Sequence, residues 1–208
     1  MVPRAPGRGD VLSATAGFYE DNAEDFARRT VDVDVSHLRE RFLEHVPPGG
    51  HILDAGCGSG RDGRAFQDAG YQVTAIDASP ALARIASKHV GQEVRVLRFQ
   101  DVDFESQFDG VWACASLLHV PEAELGEVLR RLARSLVPGG ACYMSFKLGE
   151  GEREDGGRTF LDVTPDRLAE VVDQVGELVL AQTWLTDDCR PGRDAEKWVN
   201  ALARREVP

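Results

Sequence analysis

The stretch that decides the fold is His51-Ile-Leu-Asp54-Ala-Gly56-Cys57-Gly58-Ser59-Gly60, an apolar run followed by alternating glycines. The apolar run predicts a buried strand, and the residues after Gly60 predict a helix. Alternate glycines let the backbone turn sharply and let a ligand approach without a Cβ in the way. The first N–H groups of the following helix then face this ligand. The stretch therefore predicts a binding loop between a strand and a helix.

The chemistry of this loop favours one ligand over two others. A helix N-terminus suits a carboxylate or a phosphate, and the Asp54 carboxylate can accept hydrogen bonds from a cationic amine. S-adenosylmethionine offers an amine beside a carboxylate, so it fits the loop better than a pyrophosphate does. Gly58-Ser-Gly60-Arg-Asp-Gly63 also satisfies the pattern G-x-G-x-x-G. A nicotinamide cofactor and a purely structural turn therefore stay open as alternatives.

Composition limits the remaining possibilities. A chain of 208 residues suits one domain, and a formal net charge of −11 argues against a surface that binds nucleic acid. The cysteines show no metal-type spacing, so we expect reduced thiols and no metal site; they are Cys57, Cys114, Cys142 and Cys189. Because the sequence contains no signal-peptide pattern and no run of transmembrane length, we expect a cytoplasmic protein without membrane contact.

The pattern along the chain predicts an α/β protein. Residues 1–12 are predicted to be disordered, and 13–208 to form one domain: a helical cap over 13–50, a cofactor-binding core over 51–146, and an acceptor-side part over 147–208. Alternating strand and helix patterns predict a doubly wound, mostly parallel sheet. The predicted strands lie at 51–54, 71–77, 93–99, 108–116, 141–146, 177–186 and 197–204, the last with a helix as the alternative. Residues 148–158 are polar and glycine-rich and predict a mobile loop or lid.

Each of the first five predicted strands ends in a polar residue; these residues are Asp54, Asp77, Asp101, Ser116 and Lys147. Ligands of open parallel sheets lie outside the carboxyl ends of the strands. Asp77 is placed to accept hydrogen bonds from both hydroxyls of a ribose. Asp101, with the backbone of Val102, is placed to face an adenine, with an Asx turn as the alternative.

Two residues are candidates for catalysis. His119 follows the fourth strand, where a neutral imidazole can take a proton from a nucleophile; a hydrogen bond to backbone is the equally weighted alternative. Tyr19 carries a hydroxyl that needs a partner if buried, which favours a role at the site. For the neighbouring Phe18 and Phe26, packing over the glycine loop and packing at the sheet edge stay open.

Basic residues in the last third of the chain indicate an anionic substrate. Lys147 and Arg158 are the candidate substrate-binding residues, and Arg190 lies in the same region. For Arg193, a solvated loop position is the better interpretation. The indoles of Trp184 and Trp198 are predicted to lie in the core rather than in the wall of a pocket.

Four motifs together resemble the class I S-adenosylmethionine-dependent methyltransferases. They are Leu53–Gly60, Ala75-Ile-Asp77-Ala-Ser-Pro80, Phe108-Asp109-Gly-Val-Trp112 and Leu136-Val-Pro-Gly-Gly140. Within that family the chain is most similar to small bacterial enzymes of the tellurite-resistance and small-molecule type. It lacks the Asn-Pro-Pro-Tyr signature of many methylases of nucleic acid or glutamine.

The resemblance implies a Rossmann-like sheet of seven strands with an antiparallel last strand. It also implies that S-adenosylmethionine is bound and S-adenosylhomocysteine released. Expected cofactor contacts, with their neighbours in the motifs, are Tyr19, Asp54, Gly56, Cys57, Gly58, Gly60, Asp77, Ala78, Asp101, Val102, Ser116 and Leu117. In that family N-terminal helices cover the cofactor, and Tyr19 occupies a plausible capping position.

The sequence therefore predicts methyl transfer to an oxygen, nitrogen or sulfur of a small, anionic molecule. Much of the catalysis can be positioning of the acceptor, with His119 as the candidate base and Tyr19 as the second choice. Two alternatives stay open: a methyltransferase that acts on RNA or a peptide, and a non-catalytic protein that binds the cofactor and regulates a partner. The patterns do not indicate the acceptor or the oligomeric state.

Overall fold

The computed structural model describes residues 8–190, 192–193 and 195–207, with side chains from residue 15 onward. The strands are β1 His51–Ala55, β2 Gln72–Asp77, β3 Arg95–Val96, β4 Phe108–Ala113, β5 Leu136–Lys147, β6 Gly151–Asp155, β7 Arg158–Asp162, β8 Leu178–Asp187 and β9 Lys197–Arg205. The helices are α1 Arg8–Asp21, α2 Ala23–Thr30, α3 Ser36–Leu43, α4 Arg61–Asp68, α5 Pro80–Val90, α6 Glu122–Ser135 and α7 Pro165–Val175.

Seven strands form one sheet in the order β3-β2-β1-β4-β5-β9-β8. The first five pair in parallel, whereas β9 is antiparallel to both of its neighbours. The chain order reverses between β1 and β4, and the crevice at such a switch point is where ligands of these sheets bind. The predicted fold class, including the antiparallel last strand, is confirmed.

Both faces of the sheet are covered. One face packs under α6 and α7 and contains Leu53 and Val111, while the other packs under α3 to α5 and contains Ile52 and Trp112. Neighbouring residues of a strand point to opposite faces, so strands covered on both sides read as continuous apolar runs. The Trp112 ring stacks on Tyr143, with 4.1 Å between ring centroids. This core holds the carboxyl ends of β1 and β4 in place.

The turns into the helices follow ordinary capping chemistry at two positions and depart from it at one. The Ser79 hydroxyl accepts from the Leu82 N–H at the start of α5, where Pro80 is the first helical residue. Thr164 and Pro165 begin α7 in the same way. Asn22 directly precedes α2, but its side chain donates to the Phe18 carbonyl at 2.8 Å instead of capping α2.

The N-terminal boundary differs from the sequence-based expectation. Helix α1 begins at Arg8, so residues 8–12, predicted to be disordered, belong to a helix; the rest of that predicted segment lies outside the described residues. Helix α1 contacts β7 and α5, and α2 contacts α5. These contacts supply packing partners that the composition of the segment does not reveal. None of the described helices is long and apolar enough to cross a membrane.

The prediction of a mobile loop over residues 148–158 is wrong. It contains β6 and the start of β7, which form an antiparallel hairpin. Gly156 and Gly157 have φ of +57° and +79°, as a two-residue type I′ turn requires. Phe160 and Leu161 are buried, whereas the acidic side of the hairpin is exposed. Burial of β7 therefore orders a segment whose polar composition indicated a loop.

The third strand is also shorter than predicted. Only Arg95 and Val96 pair with β2, at the edge of the sheet, and residues Phe99–Asp101 form a 3-10 turn. Because β3 ends at Val96, residues Phe99–Asp101 lie elsewhere than a strand of the predicted length would place them.

Candidate active site

The glycines of the loop after β1 are required by backbone shape and by their neighbours. Gly56, Gly58 and Gly60 have φ of +78°, +55° and +80°. A Cβ on Gly56 would lie 2.5 Å from the Cβ of Ser116, and one on Gly60 would lie 2.8 Å from Val90. Gly60 thus lets α4 pack on α5, whereas Gly56 keeps the loop close to the turn after β4.

Asp77 ends β2 beside this loop. Its carboxylate accepts hydrogen bonds from the N–H groups of Gly58 and Ser79, both at 2.9 Å. Burial raises the pKa of Asp77 to about 6, against the effect of these hydrogen bonds. The carboxylate is held rigidly at the carboxyl end of the strand and is ionised at neutral pH.

One cavity opens in front of Asp77, and we call it the Asp77 cavity. Its volume is about 140 Å³. Asp77 and Ala78 form one wall, and the apolar side chains of Leu82, Leu97 and Phe99 form the others. Flat apolar walls around a single carboxylate suit a ring system that carries hydroxyl groups.

Six of the predicted contact residues do not line this cavity: Asp54 and Cys57, which line a neighbouring cavity, and Gly60, Asp101, Val102 and Leu117, which line neither. The Asp101 carboxylate is half exposed and binds Arg98, with the guanidinium Nε at 2.7 Å. Val102 and Leu117 are buried in the core cluster under α6. Because β3 ends early, residues 97–100 occupy the place predicted for Asp101 and Val102. Ser116 does line the cavity, and its hydroxyl donates to the Ala55 carbonyl at 2.8 Å.

A second cavity of about 170 Å³ adjoins the first, and we call it the Arg158 cavity. The two share the residues at their junction: Tyr19, Phe26, Gly56, Gly58, Ala115 and His119. The far walls of the Arg158 cavity include Lys147, Arg158 and Phe160. A ligand in one cavity therefore reaches the other across the glycine loop.

A chain of hydrogen bonds crosses this junction. The Tyr19 hydroxyl lies 2.7 Å from His119 Nε2, and His119 Nδ1 lies 2.8 Å from the Thr159 carbonyl oxygen. A carbonyl only accepts, so Nδ1 carries the proton and Nε2 accepts from Tyr19. Burial lowers the pKa of His119 to about 4 and raises the pKa of Tyr19 above its usual value. The imidazole is therefore neutral at pH 7, with its lone pair facing the junction.

Three separate parts of the chain build this arrangement. Tyr19 lies on α1, His119 on the turn after β4, and Thr159 on β7. The Thr159 N–H donates to the Thr15 hydroxyl at 3.1 Å, which joins the hairpin to α1. The sequence identified Tyr19 and His119 separately, but it carried no signal that Thr159 selects the tautomer of His119.

Asp54 is the most buried acid of the glycine loop. It is 2% exposed, and its Oδ2 has no hydrogen-bond partner among the described residues. Burial, reinforced by the nearby Asp62, raises the pKa of Asp54 well above its usual value. Cys57, beside it, also lines the Arg158 cavity, and burial raises the pKa of its thiol. Asp54 Oδ2 is therefore available to accept a hydrogen bond from a ligand.

The sequence did not identify the ion network behind Asp54. The buried Asp62 accepts from Arg39 at 2.7 Å, from Arg61 at 2.7 Å and from Trp112 at 3.0 Å. These donors hold the pKa of Asp62 below its usual value despite burial. Arg61 and Asp62 directly follow Gly60 in the sequence, but only the fold shows that their side chains turn inward.

The tryptophans divide between core and cavity. Trp184 is partly buried and packs against the core beside Tyr143, with 6.1 Å between ring centroids. Trp198 is also partly buried against the core, but it lines the Arg158 cavity as well, and its indole N–H donates to Asp188 at 3.0 Å. Among the described residues, no three acidic, histidine or cysteine side chains come together as ligands for a metal ion.

Comparison with known proteins supports a family assignment. Residues 52–140 match a family model described as a methyltransferase domain. The chain is 37% identical over 153 residues to a ubiquinone biosynthesis O-methyltransferase of Xanthomonas campestris pv. campestris, covering 64% of this chain and 63% of the relative. It is 35% identical over 106 residues to a cypemycin N-terminal methyltransferase of a Streptomyces species, covering 48% and 43%. The chain thus spans less than two thirds of the length of these relatives.

Solved structures share the whole fold. A Burkholderia thailandensis 1,6-didemethyltoxoflavin-N1-methyltransferase, bound to 1,6-didemethyltoxoflavin and S-adenosylhomocysteine, superposes with a TM-score of 0.79 at 23% identity, covering 100% of this chain and 94% of that chain. A magnesium protoporphyrin IX methyltransferase of Synechocystis superposes with a TM-score of 0.74 at 16% identity, covering 99% and 100%.

The match of residues 52–140 to a methyltransferase domain, together with the strand order, supports the family that the sequence motifs indicate, the class I S-adenosylmethionine-dependent methyltransferases. The chain's further assignment to the tellurite-resistance type stays a prediction.

Proposed function

We propose that the protein is an S-adenosylmethionine-dependent methyltransferase that methylates a small molecule in the Arg158 cavity. The observation that carries the proposal is the junction of the two cavities. There the glycine loop and Asp77 lie on one side, and the hydrogen-bonded pair Tyr19–His119 lies on the other.

The residues of the Asp77 cavity fit the cofactor. Asp77 would accept hydrogen bonds from the ribose hydroxyls, and the apolar walls at Leu82, Leu97 and Phe99 would contact the adenine. Across the junction, on the wall of the Arg158 cavity, the unpaired oxygen of Asp54 would accept from the amine of the methionine part. Gly56 and Gly58 leave the space between loop and ligand open, since a Cβ at either position would enter it or strike its neighbours.

When bound, S-adenosylmethionine would supply a methyl group attached to a positively charged sulfur. The acceptor nucleophile would attack the methyl carbon in line with the sulfur, and the sulfur would leave in S-adenosylhomocysteine. The protein's own residues position that nucleophile and remove its proton. Tyr19 and His119 both line the junction, and in this proposal the acceptor's proton passes to the Tyr19 oxygen while the Tyr19 proton passes to His119 Nε2. The Thr159 carbonyl stabilises the resulting imidazolium through Nδ1–H.

The surroundings of His119 set the limits of this proton transfer. Burial keeps the pKa of His119 at about 4, so the base is available over the whole neutral range but is weak. A weak base suits an acceptor that is already acidic, such as a phenol or a thiol, better than an alcohol. The proximity of the acceptor supplies the rest of the rate, because a held nucleophile needs no diffusional encounter.

The shape of the cavity supports a small acceptor. It is enclosed by α1, the hairpin of β6 and β7, and the end of β8, and it holds a volume of about 170 Å³. Four of its five lysine and arginine side chains are already paired with acids. Among the described residues no open row of cations remains there to follow a phosphate backbone, which disfavours RNA as the acceptor. The names of the relatives include a small-molecule O-methyltransferase and a peptide N-terminal methyltransferase.

Calorimetric titration with S-adenosylmethionine, S-adenosylhomocysteine and NADH tests the cofactor first. We expect micromolar binding of the first two and none of NADH. Binding of NADH alone, or of none of the three, would refute the proposal.

A second experiment tests the acceptor with a labelled methyl group and a panel of phenols, thiols, amines and short peptides. Transfer to a phenol or a thiol is the expected result. Transfer only to peptide N-termini would replace the small molecule by a peptide. Tight cofactor binding with no transfer to any acceptor, together with a co-purifying protein, would favour the non-catalytic alternative.

A further inference from the structure

Five lysine and arginine side chains line the Arg158 cavity, and only one of them lacks an acidic partner among the described residues. The paired ones are Arg61 with Asp62, Lys147 with Glu196, Arg190 with Asp188, and Arg193 with Glu196. A paired cation has little charge left for a ligand, because its carboxylate partner cancels most of its field. The remaining residue is Arg158.

The hairpin places an acid opposite Arg158 but directs it elsewhere. Asp155 is the cross-strand neighbour of Arg158 in the register of β6 and β7. It pairs with Arg153 instead, at 3.7 Å. The Nε of Arg158 is buried and has no hydrogen-bond partner in the described structure. A buried donor without a partner costs free energy, which a ligand that accepts a hydrogen bond recovers.

Aromatic rings hold the Arg158 guanidinium at the cavity. Its central carbon lies 4.5 Å from the ring centroid of Phe18, 4.9 Å from that of Phe160 and 5.9 Å from that of Tyr19. Rings interact with a cation through their faces but accept no strong hydrogen bonds. The guanidinium is therefore held at the cavity, with a donor facing the Tyr19 hydroxyl and with its buried Nε–H left without a described partner. A carboxylate can pair with this Nε–H and a neighbouring N–H of the same guanidinium.

We infer that Arg158 binds a carboxylate of the acceptor, so that the substrate is a small aromatic acid that carries a nucleophilic hydroxyl or thiol group. This inference rests on the proposed function, because it assigns the ligand of the Arg158 cavity. The aromatic body follows from the walls beside Arg158, where Phe160 and Trp198 lie.

The position of Arg158 also links binding to the base. Tyr19, Arg158, Thr159, Phe160 and Lys147 face His119 from α1, β7 and β5. After burial, which is the largest cause, the charges of Arg158 and Lys147 lower the pKa of His119 further. A carboxylate bound to Arg158 cancels part of this field. His119 thus becomes a stronger base when the acid is bound than when the cavity holds a neutral analogue.

The test measures binding of defined probes, without methyl transfer. The chain saturated with S-adenosylhomocysteine is titrated in a calorimeter with benzoate, 4-hydroxybenzoate and 3,4-dihydroxybenzoate, each beside its neutral methyl ester. We expect at least one acid to bind roughly 10- to 100-fold more tightly than its ester, the range for a hydrogen-bonded charge. Arg158→Gln should remove this preference, and Arg158→Lys should retain part of it.

Arg153→Gln is the matched control. Arg153 lies on the same hairpin, with its guanidinium carbon 4.7 Å from the Phe160 ring centroid, but it is paired with Asp162. This variant should keep the preference for the acid. Melting curves with S-adenosylhomocysteine show whether each variant is folded, and an unfolded glutamine variant would leave the comparison to Arg158→Lys against wild type.

The outcomes separate this inference from the proposed function. Binding of S-adenosylhomocysteine with equal affinities for acids and esters, or with no binding of any acid at millimolar concentration, would overturn the role of Arg158 and leave the methyltransferase proposal intact. An unchanged preference in both Arg158 variants would also overturn it. Failure to bind S-adenosylhomocysteine at all would overturn both.

Discussion

The two cavities differ in how the chain builds them. The glycine loop and Asp77, on one side of the junction, come from a single stretch of about thirty residues on β1, α4 and β2. On the other side, Tyr19 and His119 are 100 residues apart in the chain, and His119 and Thr159 are 40 apart. The first side depends on local backbone geometry, whereas the second depends on packing of α1 and the hairpin against the sheet.

Because of this difference, the two sides of the junction tolerate substitutions differently. A glycine loop allows few substitutions, because its φ angles and close contacts exclude most side chains. The Arg158 cavity has walls from α1, β7, β8 and β9, which can change while the sheet stays the same. We therefore expect substitutions on the first side to remove cofactor binding, and substitutions on the second side to change the acceptor or the rate.

The largest effect is expected at Asp77. Asp77→Ala removes the acceptor of the Gly58 and Ser79 N–H groups and of the ribose, so cofactor binding should become undetectable by calorimetry. Asp101→Ala is the informative companion, because the sequence placed Asp101 at the adenine while the structure places it on the surface beside Arg98. Its affinity for S-adenosylhomocysteine should change less than about threefold. A large loss in Asp101→Ala would favour the sequence-based assignment over the structure.

On the other side of the junction, His119→Gln should lower kcat by roughly 100- to 1000-fold, the range for a general base. The affinity for S-adenosylhomocysteine should stay within a few-fold of wild type, since the imidazole bonds to Tyr19 and Thr159. His51→Gln is the control: His51 lies on β1, bonded to Thr74 at 2.9 Å and away from both cavities. Equal rates in wild type and His119→Gln would remove His119 as the base.

The dependence on pH should also separate the two sides. Asp77 has a raised pKa of about 6 in the protein, and the ribose hydroxyls donate to its ionised form. Binding therefore favours the deprotonated state, so affinity for S-adenosylhomocysteine should fall as pH drops below about 6, by up to about tenfold per pH unit. His119, with a pKa of about 4, stays neutral over the same range and should not produce this change.

A calorimetric series from pH 5 to pH 8 measures the effect. Asp77→Asn is the check, since an amide does not titrate. If Asp77→Asn still loses affinity as the pH drops below 6, the pH dependence belongs to another group. Asp54 is then the candidate, because its pKa is also raised.

The smallest effect is expected at the hairpin turn. Gly156→Ala puts a side chain at φ +57°, which costs about 1–2 kcal/mol in a left-handed conformation. This strain loosens the hairpin that carries Arg158 and Thr159, so the KM for the acceptor should rise a few-fold while cofactor affinity stays unchanged. Gly176→Ala at the end of α7, with φ +72° and open space around it, imposes similar strain away from the site. A matching rise of KM in that control would show general destabilisation instead.

The sequence predicted the sheet and the first side of the junction because both have local signals. Apolar runs identify strands covered on two faces, and alternating glycines identify a loop with left-handed residues. The hairpin was missed although it also had a local signal: Gly156-Gly157 between two extended segments is typical of a type I′ turn. Its charged residues outweighed that signal, because the buried positions on β7 are few.

Asp101 and Arg158 show which properties sequence patterns do not predict. A polar residue after a strand is predicted at the ligand edge, but the early end of β3 turned Asp101 outward. The sequence named Arg158 together with Lys147 as a candidate for substrate binding, with Arg190 in the same region. The positions of Asp188 and Glu196 distinguish Arg158 from the other two.

The sequence by itself determined the fold class, the glycine loop and the family, because these depend on periodicity and on backbone angles that few residue types allow. The tertiary structure alone decided which nitrogen of His119 carries the proton, which cation lacks a partner and which acid faces the cavity. Those properties depend on distances of a few ångströms between residues far apart in the chain. Hydrogen bonds and ion pairs act over such distances, and no pattern along the chain encodes them.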